Sequence, residues 1–224
     1  MKKKIVVLSG AGISAESGIS TFRDSNGLWE NYAIEEVATP QAWIKNKDLV
    51  QRFYNQRRKQ VIEAKPNAAH QFLKSLEENY EVQIITQNID DLHERAGSSN
   101  VLHLHGNIRL AKSSGPQSEK KYYPIDGWEL RSDQFCLDGF PLRPHVVWFG
   151  EAVPELENAA NHVSEADILI VIGTSLAVYP AASLVHFADK AVLKIVVDPK
   201  ADELNIASDF VRIPTNAVES IESL

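Results

Sequence analysis

Five short stretches hold side chains whose types and spacing suit chemistry. Gly10-x-Gly12-x-x-Ala15 follows directly on the apolar run Ile5 to Leu8, the pattern of a strand turning into a helix. Glycine at 10 permits a tight turn, glycine at 12 lets backbone approach a pyrophosphate, and a small residue at 15 lets helix and strand pack closely, with helix-start amides facing the anion. The same glycines also suit a purely structural turn. The stretch Thr86-Gln87-Asn88-Ile89-Asp90 follows another apolar run, Val82 to Ile85. Its amides and carboxylate are an inventory that can grip a carboxamide, or can cap a helix start. His103 and His105 alternate, so in a strand they share one face. An H-x-H pair is a possible metal site together with His145, but no acidic ligand cluster accompanies it, and no metal is expected. Asp198, between Val197 and Pro199, offers a carboxylate for a ribose diol or forms a turn before proline.

The fifth stretch poses a question of charge. Leu49, Val50, Phe53, Tyr54, Val61 and Ile62 recur at the spacing of one buried helical face, and Arg57 falls on that face. A buried guanidinium needs an anion, either a local acid such as Glu35 or Glu36 or a carboxylate from outside the protein.

The elements that must position these residues follow from hydropathy. Ile5 to Leu8, Val82 to Ile85, Ile168 to Ile172 and Leu193 to Val197 are short, Val- and Ile-rich runs suited to strands buried on both faces. Helical patterns run over roughly Lys47 to Ala64 and Asn67 to Glu78, with Pro66 punctuating the start of the second. The expected fold class is α/β, a Rossmann-like parallel sheet with helices on both faces. Residues 1–33, 81–106 and 144–224 would form the nucleotide-binding part, and 34–80 and 107–143 an inserted small helical and irregular module. From Asn107 to Arg143 periodicity fades among turn residues and aromatics.

Composition narrows the function classes. The 224 residues are 44% hydrophobic and 24% charged, ordinary for a globular protein with a sizeable core. A net charge of −7 with pI near 5.5 argues against nonspecific nucleic-acid binding. The opening apolar run is four residues long, short of the ~7 to 15 of an export signal. No run approaches the ~18 residues of a membrane span. A single cysteine, Cys136, excludes an internal disulfide and fits a reducing cytoplasm, and it suits an apolar filler.

The segments GAGISAESGISTFRD (10–24), TQNIDDLHERAG (86–97), HLHG (103–106), RPHVVWFGE (143–151) and GTSLAVYPAA (173–182) resemble, in order, the motifs of the sirtuin family of NAD-dependent protein lysine deacylases. The resemblance implies NAD as cofactor, held by Gly10, Ala11, Gly12, Ala15, Phe22, Arg23, Gln87, Asn88, Asp90, Gly173, Thr174, Ser175 and Asp198. It places the general base at His105, with Asn88 and Asp90 as further catalytic residues, and leaves His103 as a core histidine. It implies that acylated lysines of proteins enter as an added strand between two loops, with Val146, Phe149, Gly150 and Glu151 on the first. Trp148 and Phe149 equally suit core aromatics.

Sirtuins that remove malonyl, succinyl or glutaryl groups carry Tyr-x-x-Arg in the acyl pocket, matched here by Tyr54 and Arg57, and a small alanine, matched by Ala38. The function so implied is acyl transfer to ADP-ribose with release of nicotinamide, favouring acidic acyl groups over acetyl. Protein ADP-ribosyl transfer, NAD hydrolysis and a noncatalytic NAD sensor use the same cofactor pocket and are the alternatives. Two departures stand out. Typical sirtuins bind zinc through four cysteines in the small module, and residues 107–142 hold Cys136 alone and no histidine, so a zinc-free module is expected, packed on Tyr122, Tyr123, Trp128, Phe135 and Phe140. Val196 stands where family members commonly have an asparagine near the adenine ribose.

Overall fold

The computed structural model describes residues 2–20, 28–29, 32–115 and 121–224. Strand β1 (Lys4–Ser9) leads into the single-turn helix α1 (Gly12–Ala15). A two-residue ladder, β2 (Leu28–Trp29) with β3 (Tyr32–Ala33), precedes α2 (Ile34–Val37), α3 (Pro40–Lys45), α4 (Lys47–Glu63) and α5 (Ala68–Ser75). Then come β4 (Glu81–Thr86), α6 (Leu92–Arg95), β5 (Val101–His103), β6 (Gly106–Ser113), β7 (Tyr123–Pro124) and β8 (Leu142–Val146). Helix α7 (Leu156–Ser164), β9 (Ile168–Ile172), β10 (Leu193–Val197) and β11 (Phe210–Ile213) complete the order.

Six of the strands form one parallel sheet in the order β11-β10-β9-β1-β4-β5. Alternation along β1 sorts its side chains between two layers. Val6 and Leu8 pack with Ala159, Val163 and Leu184 on one face. Ile5 and Val7 pack with Ala69 and Leu73 of α5 on the other. This is the doubly covered α/β architecture expected from the apolar runs. Register fixes what matters for function: Ser9 pairs with both Thr86 and Ile172, Thr86 with His103, and Ile172 with Val197. Five carboxyl ends therefore line up along one edge, where open α/β sheets bind ligands.

Helix α4 starts where the Asn46 side chain accepts the Leu49 amide at 3.1 Å, and α5 where Asn67 accepts the amides of Ala69 and His70. After Ser75 the chain tightens into a 3₁₀ turn over Leu76–Glu78, ending the second helical pattern as expected. Val50, Phe53, Tyr54 and Val61 of α4 are buried with Val37, Ala38, Leu92, Val146 and Trp148. Ile62, expected on that face, is instead exposed, one position past Val61 and turned toward solvent by the helical advance.

Two features of the small module differ from expectation. Residues read as aperiodic form a three-stranded antiparallel sheet, β7-β6-β8. A register shift between Gly106 and Ala111 breaks the strict two-residue alternation by which a strand is recognised. The apolar cluster is also not aromatic: Ala111, Ile125, Leu130, Cys136 and Leu142 are buried with Tyr123 against them. Tyr122, Trp128, Phe135 and Phe140 are exposed. Cys136 fills space there, its Sγ 3.3 Å from Ser113 Oγ. Among the described residues no group of three or more His, Cys, Asp or Glu could hold a metal ion, and no helix is long and apolar enough to cross a membrane.

Candidate active site

The aligned strand ends open onto a cavity of about 430 Å³. Its wall at the β1 turn is backbone on backbone. The Gly12 amide donates to the Gly173 carbonyl at 2.8 Å, and a Cβ on Gly12 would stand 2.8 Å from Gly173 Cα. Gly173 itself sits at φ +65°, open to glycine and strained for other residues. The two turns can approach so closely only because both lack side chains. The Ile13 and Ser14 amides donate within the turn to Gly10 and Ala11 and the Gly12 amide donates across to Gly173, so the expected row of outward helix-start amides is corrected: all three have backbone partners.

Ala11, Ala15, Ser175 and Asp198 line the same cavity. Asp198 is buried, and its Oδ1 accepts the Lys200 amide at 3.0 Å, so the turn-forming role is realised at the cavity wall. Val196 does not line it: it lies inside β10, packed against Leu169 and Val171, and the departure noted there is a core residue rather than a ribose contact. The chain reaches the cavity at Val197, Asp198 and Pro199, beyond the strand end. Phe22 and Arg23 lie outside the described residues.

The loop after β4 is held from both sides. Gln87 Nε2 donates to Thr174 Oγ1 at 3.1 Å, joining it to the β9 turn. Asn88 Nδ2 donates to Ser14 Oγ at 3.1 Å, and that hydroxyl donates to Asp90 Oδ2 at 3.0 Å. Asp90 Oδ1 accepts the Leu92 amide at 3.1 Å, so the carboxylate both starts α6 and faces the cavity. Burial raises its pKa, opposed by these hydrogen bonds. Ser14 was not singled out from sequence, although it stands inside the glycine-turn motif.

The two histidines of the H-x-H pair are held differently. His105 lines the cavity with Nδ1 3.0 Å from the Gln87 carbonyl oxygen. A carbonyl only accepts, so Nδ1 carries the proton and Nε2 keeps a lone pair. Burial lowers the His105 pKa, favouring that neutral form. His103 places Nδ1 3.0 Å from the Asn88 carbonyl and Nε2 2.7 Å from Glu94 Oε1. Both neighbours accept, and although burial opposes charge, Glu94 raises the His103 pKa. These acceptors favour the imidazolium form of His103, which braces the Asn88 loop from outside the cavity lining. Gly106 follows at φ +85°, where a Cβ would strike the His145 carbonyl.

Ala38, Tyr54, Arg57, Val146, Phe149, Gly150 and Glu151 all line the cavity. Arg57, 4% exposed, projects into this wall. Its neighbour Arg58 is fully buried on another side of α4 and donates to the carbonyls of Ile108 and Trp128 and to Asn55 Oδ1. Trp148 is buried and Phe149 half exposed, so the two aromatics divide between core and rim. Glu151 Oε2 accepts the Trp148 amide at 2.8 Å, and Oε1 pairs with Arg143 Nη2. Arg143 and Ser14 stand beside these residues within the same motifs, though their residue types alone do not single them out.

The Sir2 family model matches residues 10–180, which include the glycine turns, the 87–90 loop and His105. The chain belongs to the Sir2 family. This Sir2 protein is 48% identical over 226 residues to an NAD-dependent protein deacylase of Bacteroides thetaiotaomicron, covering 99% of this chain and 96% of that one. It is 51% identical over 224 residues to an NAD-dependent protein deacylase of Helicobacter pylori, again covering 99% and 96%. Among solved structures, a Sir2 homologue–NAD complex superposes with TM-score 0.87 at 40% identity, over 99% of this chain and 88% of that one. Sir2 bound to acetylated peptide superposes with TM-score 0.81 at 31% identity, over 99% and 92%. The paired glycine turns, which any side chain would obstruct, fit the NAD that these relatives' names carry.

Proposed function

We propose that this Sir2 protein is an NAD-dependent protein lysine deacylase whose acyl pocket favours acidic acyl groups: succinyl, malonyl or glutaryl. The observation that carries the preference is Arg57, a buried guanidinium on the wall of the same cavity as His105, one helical turn from Tyr54, in a wall that also includes the small Ala38. Glu36, an acid near in sequence, is exposed and accepts the Ala33 amide at its own helix start.

NAD, when bound, supplies a ribose carbon that becomes electrophilic as nicotinamide leaves. Gly10, Gly12 and Gly173 would hold its phosphates beside the two close-packed turns, and Gln87, Asn88 and Asp90 would offer amide and carboxylate groups to its nicotinamide. His105 Nε2 takes the proton of a sugar hydroxyl, its ring held in the required tautomer by Gln87. Val146, Phe149, Gly150 and Glu151 border the entrance through which the modified lysine arrives. Positioning supplies most of the rate, since neither a metal nor a side-chain nucleophile is called upon.

A charge-assisted hydrogen bond contributes ~1.5 to 3 kcal/mol, or roughly 10- to 150-fold in selectivity. Arg57→Met should therefore lose far more desuccinylation than deacetylation. Incubation with NAD and succinyl- or acetyl-lysine peptide, followed by mass spectrometry, measures both and distinguishes acyl transfer from ADP-ribosylation or free ADP-ribose. Equal losses on the two peptides would reject the acyl preference.

A further inference from the structure

Tyr54 is held by a chain of contacts that begins outside the cavity. Its hydroxyl oxygen accepts the Trp148 indole N–H at 3.1 Å. An oxygen that accepts from the indole turns its own O–H away from Trp148, so the indole sets the direction in which Tyr54 donates. Burial raises the Tyr54 pKa, keeping the hydroxyl protonated and a donor.

Trp148 packs at a tilt against Trp43, ring centroids 5.8 Å apart, and is fixed further by Arg143 and Glu151. The Arg143 guanidinium lies 3.8 Å from the indole ring centroid, a cation–π contact shielded from water because Arg143 is buried. Glu151 divides its carboxylate, one oxygen on Arg143 Nη2 and the other on the Trp148 amide. Arg143 also reaches back to the Val146 carbonyl at 3.4 Å, anchoring the assembly to the end of β8. Tyr54, Trp148 and Glu151 line the cavity, whereas Arg143 does not.

We infer that Arg143 is a specificity-positioning residue, which, by clamping Trp148 from its face and through Glu151, fixes the direction in which the Tyr54 hydroxyl donates to the carboxylate of an acidic acyl group. The inference rests on the acyl preference proposed above. Arg143 touches no substrate; it acts through the indole. Tyr54 and Arg57 then present two donors at one spacing, and loosening either end of the chain lowers recognition of the acyl anion more than recognition of a neutral acetyl group.

The test measures kcat and KM for succinyl- and acetyl-lysine peptides with wild-type protein, Arg143→Gln, Trp148→Phe and the double variant, with folding checked by thermal melting. Trp148→Phe keeps an aromatic ring for Arg143 and removes the donor to Tyr54 together with the second ring of the indole, so the succinyl-to-acetyl ratio, not the absolute rate, is the readout. Both single variants should lower the succinyl-to-acetyl ratio of kcat/KM roughly tenfold, chiefly through KM for the succinyl peptide, the size expected for one lost or misdirected hydrogen bond. The double variant should be no worse than the poorer single one, because both cut the same chain. A wild-type protein without preference for succinyl overturns this inference together with the acyl preference. A wild-type preference that survives in the folded variants overturns this inference alone, as do losses that add in the double variant. Should Arg143→Gln fail to fold, an unchanged ratio in Trp148→Phe is sufficient to reject it.

Discussion

His105 donates its Nδ1–H to the carbonyl oxygen of Gln87 at 3.0 Å, so a backbone group just past the end of β4 decides which ring nitrogen keeps a lone pair. The same loop carries Asn88 and Asp90, and the bond ties the His105 ring to these other groups of the cavity wall.

That bond and the burial of the ring give a pH dependence. A base works only unprotonated, and burial lowers the His105 pKa from its ordinary value near 6.5. Activity should therefore hold at neutral pH and fall only as pH drops below about 6.5. The acidic limb of kcat/KM on a succinyl-lysine peptide checks this; a midpoint above 6.5 contradicts it. His105→Gln should lower turnover by roughly 100-fold or more.

His103 predicts the opposite slope for stability. Facing Glu94 and Asp90, it has a folded pKa raised above the unfolded value near 6.5. Its contribution is fully present below that value and disappears as pH rises through the folded pKa. The melting temperature of the wild type should exceed that of His103→Gln most at pH 6 and by progressively less toward pH 9. A constant difference across that range would sink the imidazolium assignment.

Ala38 is buried on the cavity wall, and its carbonyl accepts the Phe149 amide at 3.0 Å. Ala38→Leu inserts three carbons where overpacking typically costs 1–3 kcal/mol. Catalytic efficiency on a succinyl-lysine peptide should fall roughly tenfold, and by more than on an acetyl-lysine peptide. Steady-state kinetics on both peptides decide it, and a parallel fall on both rejects a pocket limited by room.

With one cysteine in the chain and an aliphatic cluster beneath β6, the small module has no means of assembling a four-cysteine zinc site. Prolonged EDTA treatment should leave both turnover and melting temperature unchanged. Loss of turnover restored by zinc would contradict this.

The sequence by itself determined the parts governed by local chain physics. Short Val- and Ile-rich runs announce buried parallel strands, glycines at 10 and 12 mark a tight turn after the first of them, and the periodicity of α4 puts Arg57 inside. Local patterns fail where a bulge interrupts alternation, as in β6, and where cluster membership depends on partners far along the chain, as with the exposed Trp128 and Phe135. Only the tertiary structure decided how the motifs meet. The register of β1 against β4 and β9 brings Gly10, Gln87 and Gly173 to one edge, and side-chain contacts such as Trp148 to Tyr54 cross 94 residues. A sequence states which groups exist and how its own backbone will bend near them; which lone pair faces the cavity, and which arginine stands behind which indole, is settled only when distant segments exclude water together.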